Sequence, residues 1–106
     1  MRILLTGSTG FIGQSIVWSL LSAGHTVIAP VRLCSMKDIS FSHANLVTIP
    51  GNFYDNDVIE SCAGLNPQIL IHLAALRGEG HGTREDYRYV NEYGTEQLAN
   101  FALSRS

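Results

Sequence analysis

The stretch Thr6-Gly7-Ser8-Thr9-Gly10-Phe11-Ile12-Gly13 decides the fold. It follows an apolar run, Ile3-Leu4-Leu5, that reads as a short buried strand, and it leads into Ile12 to Ala23, which reads as an amphipathic helix. A glycine-rich turn between a strand end and a helix start is a phosphate cradle. The first backbone N–H groups of the helix lack partners there, and the positive end of the helix dipole points the same way. The three glycines have separate roles. Gly7 permits the tight turn, Gly10 lets a pyrophosphate approach the main chain, and Gly13 lets the helix pack closely on the strand. A plain helix cap needs one Gly or Ser, not three spaced glycines. The spacing G-x-x-G-x-x-G is not the commonest dinucleotide fingerprint, and among 10 glycines in 106 residues a triplet alone says little. The context adds what the triplet lacks: a strand before, a helix after, and a second strand, Thr26 to Val31, at the distance a β-α-β unit needs.

Outward from this turn, short apolar runs alternate with helical stretches. Strands are predicted at Arg2 to Thr6, Thr26 to Val31, Leu46 to Pro50 and Ile69 to Leu73, the last apolar throughout and hence expected to be buried on both faces. The first helix runs from about Phe11 to Ala23, with Ile12, Ile16, Leu20, Val17 and Leu21 as its apolar stripe and Gly24 as its C-terminal cap. Asp55 is placed to cap a short helix, Asn56 to Ala63, which Gly64 ends. Thr83-Arg84-Glu85-Asp86 resembles a capping box opening a last helix to about Leu103, with Tyr87, Val90, Gly94, Leu98, Phe101 and Ala102 on one side. Strands alternating with helices imply a doubly wound parallel α/β sheet with right-handed crossovers, order 3-2-1-4 if the first strand is central. The ligand crevice of such a sheet lies beyond the carboxyl ends of strands one and four, where the order reverses. The glycine turn, Arg32, Gly51-Asn52-Phe53 and Leu73-Ala74-Ala75 all converge on that edge.

Composition narrows the function classes. A chain of 106 residues, 45% apolar, suits one small domain with a packed core. Net charge is -2 and no basic cluster exists, so nucleic-acid binding lacks its electrostatic footprint. Cys34 and Cys62 show neither CxxC nor Cys/His spacing, which points to reduced thiols, a cytoplasmic setting and no metal site. No apolar run approaches the ~20 residues of a membrane span, and Gly7 and Gly10 interrupt the N-terminal run that a signal peptide would need.

Five ordered stretches carry a family resemblance: Thr6 to Gly13, Gly24-His25-Thr26-Val27, Gly51-Asn52-Phe53, Ile71-His72-Leu73-Ala74-Ala75 and Asn91-Glu92-Tyr93-Gly94-Thr95. Together the chain resembles the N-terminal part of the extended short-chain dehydrogenases/reductases, the group that includes nucleotide-sugar epimerases and dehydratases. The resemblance implies a Rossmann-like fold and a nicotinamide dinucleotide cofactor. In its terms Gly7, Thr9, Gly10 and Gly13 form the pyrophosphate turn, with Phe11 and Ile12 offering backbone N–H groups. An acid ending strand two favours NAD, but here the strand ends Ala29-Pro30-Val31-Arg32. Arg32 can instead pair with a 2′-phosphate, which favours NADP over NAD; an ordinary surface arginine is the alternative. Asn52 stands where the family usually has Asp, and its amide oxygen can still accept from the adenine amino group, with Phe53 beside it. Leu73, Ala74 and Ala75 would pass near the nicotinamide ribose, or simply end a buried strand. Asn91 matches an asparagine that helps order the family's active site, or is a surface polar residue. His72 reads as a core histidine, and His81 carries no partner pattern.

The Tyr-x-x-x-Lys pair on which the family's proton transfer depends is absent: Lys37 is the one lysine, and Leu33 stands four residues before it. No catalytic residue is therefore assigned. The expectation is the N-terminal half of a cofactor domain over residues 1–106, without a substrate domain and inactive alone. A fragment of a longer reductase or epimerase, a non-enzymatic dinucleotide-binding regulatory module and a non-functional remnant are the three readings. A sheet ending at strand four would leave an apolar edge and predicts marginal stability or self-association.

Overall fold

The computed structural model describes residues 1–38, 42–74 and 89–104. Its elements are β1 (Arg2–Thr6), α1 (Phe11–Ser22), β2 (Thr26–Val31), a 3₁₀ segment (Leu33–Asp38), β3 (Leu46–Pro50), α2 (Asn56–Ala63) and β4 (Ile69–His72). A π-helical segment, Tyr89–Gly94, then runs into α3 (Thr95–Ser104). The capping box at Thr83, Tyr87 and Ala75 lie outside the described residues.

The four strands form one sheet in the order β3-β2-β1-β4, every pairing parallel, as the alternating pattern predicts. Strand alternation sends side chains to opposite faces. Leu5, Val27, Ala29 and Val31 face α1, where they meet Val17 and Leu21. Leu4 and Ile28 face the other way and meet Val58 and Cys62 of α2, with Phe101 of α3 packed alongside. A sheet covered on both sides buries its two central strands almost completely, and the near-continuous apolar runs of β1 and β2 follow from that. Burial pushes the Cys62 thiol up to about 11, which keeps it a protonated apolar filler.

Three expectations need correction. β4 is not buried on both faces: Ile69 is exposed and Leu70, Ile71 and His72 are only half-buried, because β4 is an edge of the described sheet. An apolar run marks a strand without telling its place in the sheet. Ile12 is 53% exposed and Ala102 is exposed, so the faces of α1 and α3 that pack are narrower than their apolar stripes. Gly64 ends α2 in a right-handed conformation, and Asn66, at φ 54, takes the left-handed turn instead. Gly24, at φ +90, does act as the left-handed residue after α1.

Pro30 sits in the interior strand β2, where a missing N–H normally breaks a ladder. Here the pairing with β1 stops at Ile28 opposite Leu4, while pairing with β3 continues through Pro30 and Val31. Beyond Ile28 the β2 backbone is thus unpaired with β1, and a crevice opens between the carboxyl ends of the two strands.

Removing buried atoms from the sheet centre should cost far more than trimming the surface. Leu5→Ala is expected to lower the unfolding free energy by about 2–5 kcal/mol. Leu103→Ala, at a residue 73% exposed, should change it by less than about 0.5 kcal/mol. Denaturant unfolding measures both, and comparable losses would contradict the core described above.

Candidate functional site

The crevice is a cleft of about 460 Å³ at the carboxyl edge of the sheet. The turn from Gly7 to Gly13 forms one wall, Pro30 to Arg32 the lip after β2, Gly51 to Tyr54 the loop after β3, and Leu73 and Ala74 the floor after β4. Four separated segments therefore meet where the strand order reverses, as the topology predicts.

The glycines of the turn divide differently from the sequence expectation. Gly7 has φ +80, and a Cβ on it would lie 2.8 Å from the Ala74 nitrogen, so both conformation and space demand glycine. A Cβ on Gly13 would lie 1.8 Å from the Gly7 carbonyl oxygen. Gly13 thus lets α1 close on the turn itself, not on the strand. Gly10 is different: its backbone is extended at φ -74, ψ 168, and a Cβ there would meet only the Gly7 oxygen at 3.5 Å. Among the described residues, neither strain nor packing requires glycine at position 10.

Gly10 is also the N-cap of α1, with no side-chain cap and no acidic residue in the first turn. The helix begins with the Gln14 N–H donating to the Gly10 carbonyl, so the N–H groups of Phe11, Ile12 and Gly13 precede the first intrahelical bond. The Gln14 side chain braces the turn by donating to the Thr9 carbonyl at 2.9 Å. Arg32 is exposed and, among the described residues lining the cleft, carries the one formal charge. The cleft thus offers backbone donors, a helix dipole and a guanidinium, with no carboxylate among the described residues of its walls: it suits an anion.

Asn52 directs its amide NH₂ to the Asp55 carboxylate at 3.4 Å, which leaves its amide oxygen as an acceptor. Asp55 stands at the N-cap of α2 but makes no side-chain cap bond, so its contribution there is charge near the helix dipole. Phe53 lines the cleft, yet its ring is 8% exposed and packs on the His72 ring, with centroids 4.9 Å apart. Gly94 backs the same ring, where a Cβ would come within 2.7 Å of Phe53 Cε2. Tyr54, Ser8, Pro30 and Val31 also line the cleft and carry no signal of their own in the sequence; only their position beside predicted residues could have flagged them. Asn91 lies half-buried in the π-helical segment and is not among the cleft-lining residues described.

His72 is half-buried on the edge strand β4, not the fully buried core histidine the sequence suggests, but both of its ring nitrogens have partners. The register places it beside Thr6, and its Nδ1 lies 2.5 Å from the Thr6 hydroxyl, while its Nε2 lies 3.0 Å from the Thr95 hydroxyl. Burial lowers its pKa below the ordinary 6.5, since the charged form loses solvation. The unfolded chain therefore takes up a proton at His72 before the folded chain does. Stability from this group is full above pH 6.5 and declines as pH falls from there through the lower folded value. Acidification from pH 7.5 should lower the unfolding free energy in that interval, and His72→Asn should remove that part of the dependence. Denaturant melts at a series of pH values measure it, and an unchanged slope in the variant would contradict the assignment.

Comparisons with known proteins agree with this geometry. Residues 3–106 match the model of the NAD dependent epimerase/dehydratase family. The chain is 33% identical over 97 residues to a UDP-glucose 4-epimerase of Neisseria meningitidis serogroup B, covering 85% of this chain and 29% of that protein. It is 36% identical over 106 residues to a 3 beta-hydroxysteroid dehydrogenase/Delta 5-->4-isomerase of Mycobacterium tuberculosis, covering 92% of this chain and 27% of that protein. Among solved structures, a UDP-glucose 4-epimerase of Thermotoga maritima bound to UDP-glucose superposes with a TM-score of 0.83 at 27% identity, over 100% of this chain and 35% of that one. A Bordetella bronchiseptica enzyme solved with NAD shares the fold, with a TM-score of 0.86 at 22% identity over 99% of this chain and 34% of that one. The chain thus spans about a third or less of the length of these relatives. Fold, cleft and sequence agree: the chain belongs to the NAD dependent epimerase/dehydratase family.

Proposed function

We propose that the chain binds a nicotinamide dinucleotide in this cleft, as the cofactor-holding part of a nucleotide-sugar epimerase/dehydratase or a related reductase. The observation that carries the reading is Gly10: a glycine that the chain's own conformation and packing do not need, at the mouth of an uncapped helix. A methyl group there would occupy space that a pyrophosphate requires to reach the N–H groups of Phe11 and Ile12. The Asn52 amide oxygen is the acceptor for the adenine amino group, and Leu73 and Ala74 provide the surface under the nicotinamide ribose. Arg32, at the lip beside the β2 end, takes the 2′-phosphate of NADP by a charge-assisted pair. When bound, the nicotinamide supplies hydride exchange. The residues of this chain bind and orient it.

No tyrosine of these 106 residues has a lysine four positions on, so they contain no Tyr-x-x-x-Lys pair for proton transfer. The chain alone is accordingly expected to show no hydride transfer with nucleotide-sugar substrates, and detectable turnover would overturn that expectation.

Two variants test the cleft. Gly10→Ala should leave the melting temperature within a few degrees of the parent and weaken NADP binding at least tenfold, whereas Gly13→Ala should destabilise the fold itself. Calorimetric titration and thermal melts separate the two, and unchanged NADP affinity in a folded Gly10→Ala chain would remove the main support for this reading. Arg32→Ala should lower affinity for NADP roughly tenfold while leaving that for NAD nearly unchanged, in keeping with a charge-assisted contact of about 1.5–3 kcal/mol. Equal binding of NAD and NADP by the parent chain would refute the role given to Arg32.

A further inference from the structure

Thr6 is fully buried at the end of β1, and its hydroxyl has three polar neighbours. The backbone N–H groups of Leu73 and Ala74 both donate to its oxygen at 3.1 Å, and His72 Nδ1 lies 2.5 Å away. A hydroxyl has two acceptor positions and one proton. The two amides occupy both acceptor positions, so the hydroxyl proton must go to Nδ1. A neutral imidazole that accepts at Nδ1 carries its proton on Nε2, and that atom faces the Thr95 hydroxyl at 3.0 Å. The Leu73 N–H has a second acceptor in the Thr6 carbonyl at 3.2 Å, whereas the Ala74 N–H is bonded to the Thr6 hydroxyl alone in the same network. These two residues are also the ones that a Cβ on Gly7 would strike.

We propose that His72 is a positioning residue for the cleft floor: held as its Nε2–H tautomer between Thr95 and Thr6, it orients the Thr6 hydroxyl to hold Leu73 and Ala74 against the Gly7 turn. The proposal rests on the cleft being the dinucleotide site only for its consequence in binding; the tautomer and the floor geometry stand apart from any ligand. Protonating His72 reverses the bond at Nδ1. Three N–H donors then converge on an oxygen with two acceptor positions, and the Leu73 amide, which has a second acceptor in the Thr6 carbonyl at 3.2 Å, gives up its bond to the hydroxyl. Among the described residues, the groups bonded or stacked on the ring are Thr6 from β1, Phe53 from the loop after β3 and Thr95 from α3, none of them titratable in this range. The neighbouring carboxylates on these elements are turned elsewhere or exposed: Asp55 accepts from Asn52, and Glu96 is exposed. His72 is thus the group through which mild acid reaches the floor.

The test uses the 106-residue chain labelled with ¹⁵N, first without ligand. Long-range ¹H–¹⁵N spectra at pH 7.5 should show His72 with its proton on Nε2 and a bare Nδ1. The Leu73 amide proton should change chemical shift with the His72 midpoint as its bond to the hydroxyl is lost, while the Ala74 amide stays protected. A proton on Nδ1, or a Leu73 amide shift that ignores the titration, overturns the proposal. His72→Asn, whose Oδ1 replaces the accepting Nδ1, should hold the Leu73 amide shift constant across the pH range; a shift that still titrates, or loss of Ala74 protection at neutral pH in a folded variant, counts against it. Thr95→Val should lower the His72 midpoint, because the ring N–H loses an acceptor that favours its charged form, and Thr95→Ser should restore it, while an unmoved midpoint in Thr95→Val denies Thr95 its part. NADP titrations come last: the parent should bind roughly tenfold more weakly at pH 5.5 than at pH 7.5, and His72→Asn should lose the His72 component of that change. NADP binding that ignores His72 protonation refutes the link to the site. Failure to bind NADP at any pH, with the ligand-free spectra as described, refutes the cofactor reading and leaves the positioning role standing.

Discussion

The carbonyl oxygen of Gly7 occupies the space where residue 13 would carry a Cβ, 1.8 Å from that position. Everything at the carboxyl edge depends on this closeness. With α1 seated directly on the turn, its first N–H groups open into the cleft instead of onto a side chain. The same turn presses its other flank on Leu73 and Ala74, since a Cβ on Gly7 would stand 2.8 Å from the Ala74 nitrogen. One turn of the chain therefore sets the distance from helix mouth to cleft floor, and two glycines hold that distance by having no side chain. Larger residues at either place would push α1 or the end of β4 away and widen the cleft before any ligand entered.

Within that frame the cleft has a consistent electrical character. The uncapped start of α1, the lack of an acid in its first turn and the guanidinium of Arg32 at the lip all favour negative charge, and they come from segments far apart in the sequence. Asp55 is the nearby carboxylate that would oppose them, yet it is bound by the Asn52 amide and sits at the start of a different helix. This contact has a second effect. By engaging the NH₂ group of Asn52, it decides which end of that amide is left to meet a ligand, so the departure from the family's usual aspartate preserves an acceptor without adding a charge.

The fold was legible because its signals are periodic and local. The apolar runs, the glycine turn and the intervening helical stripes locate the four strands, α1 and α2 to within a residue, and the parallel order follows from their alternation, whereas the π-helical segment before α3 carries no such signal. What the sequence hid depends on neighbours distant along the chain. Ile69 to His72 reads as a doubly buried strand because its composition is that of β1, and only its edge place in the sheet leaves it half-exposed. Phe53 reads as a cleft residue, but its ring turns inward because Gly94, some forty residues on, leaves room for it. The distinction between Gly10 and Gly13 was likewise invisible: both are glycines at regular spacing, and only their surroundings in the folded chain show that one is required by the chain and the other is not.

The same contrast separates two kinds of polar residue on β1 and β4. Thr6 and His72 lie at strand positions where an apolar pair would pack at less cost in desolvation, since a buried polar group is tolerated only when its partners are complete. They are complete here: no buried side-chain nitrogen or oxygen among the described residues lacks a partner. A valine at position 6 would fill the volume of threonine but give the Ala74 N–H nothing to bond. The network's value is therefore geometric. It ties the first residues after β4, which has one neighbour in the described sheet, to β1 in the buried centre of that sheet. An edge strand can serve as the wall of a binding cleft only if something other than sheet pairing fixes its end, and in this chain the hydroxyl of Thr6 does so.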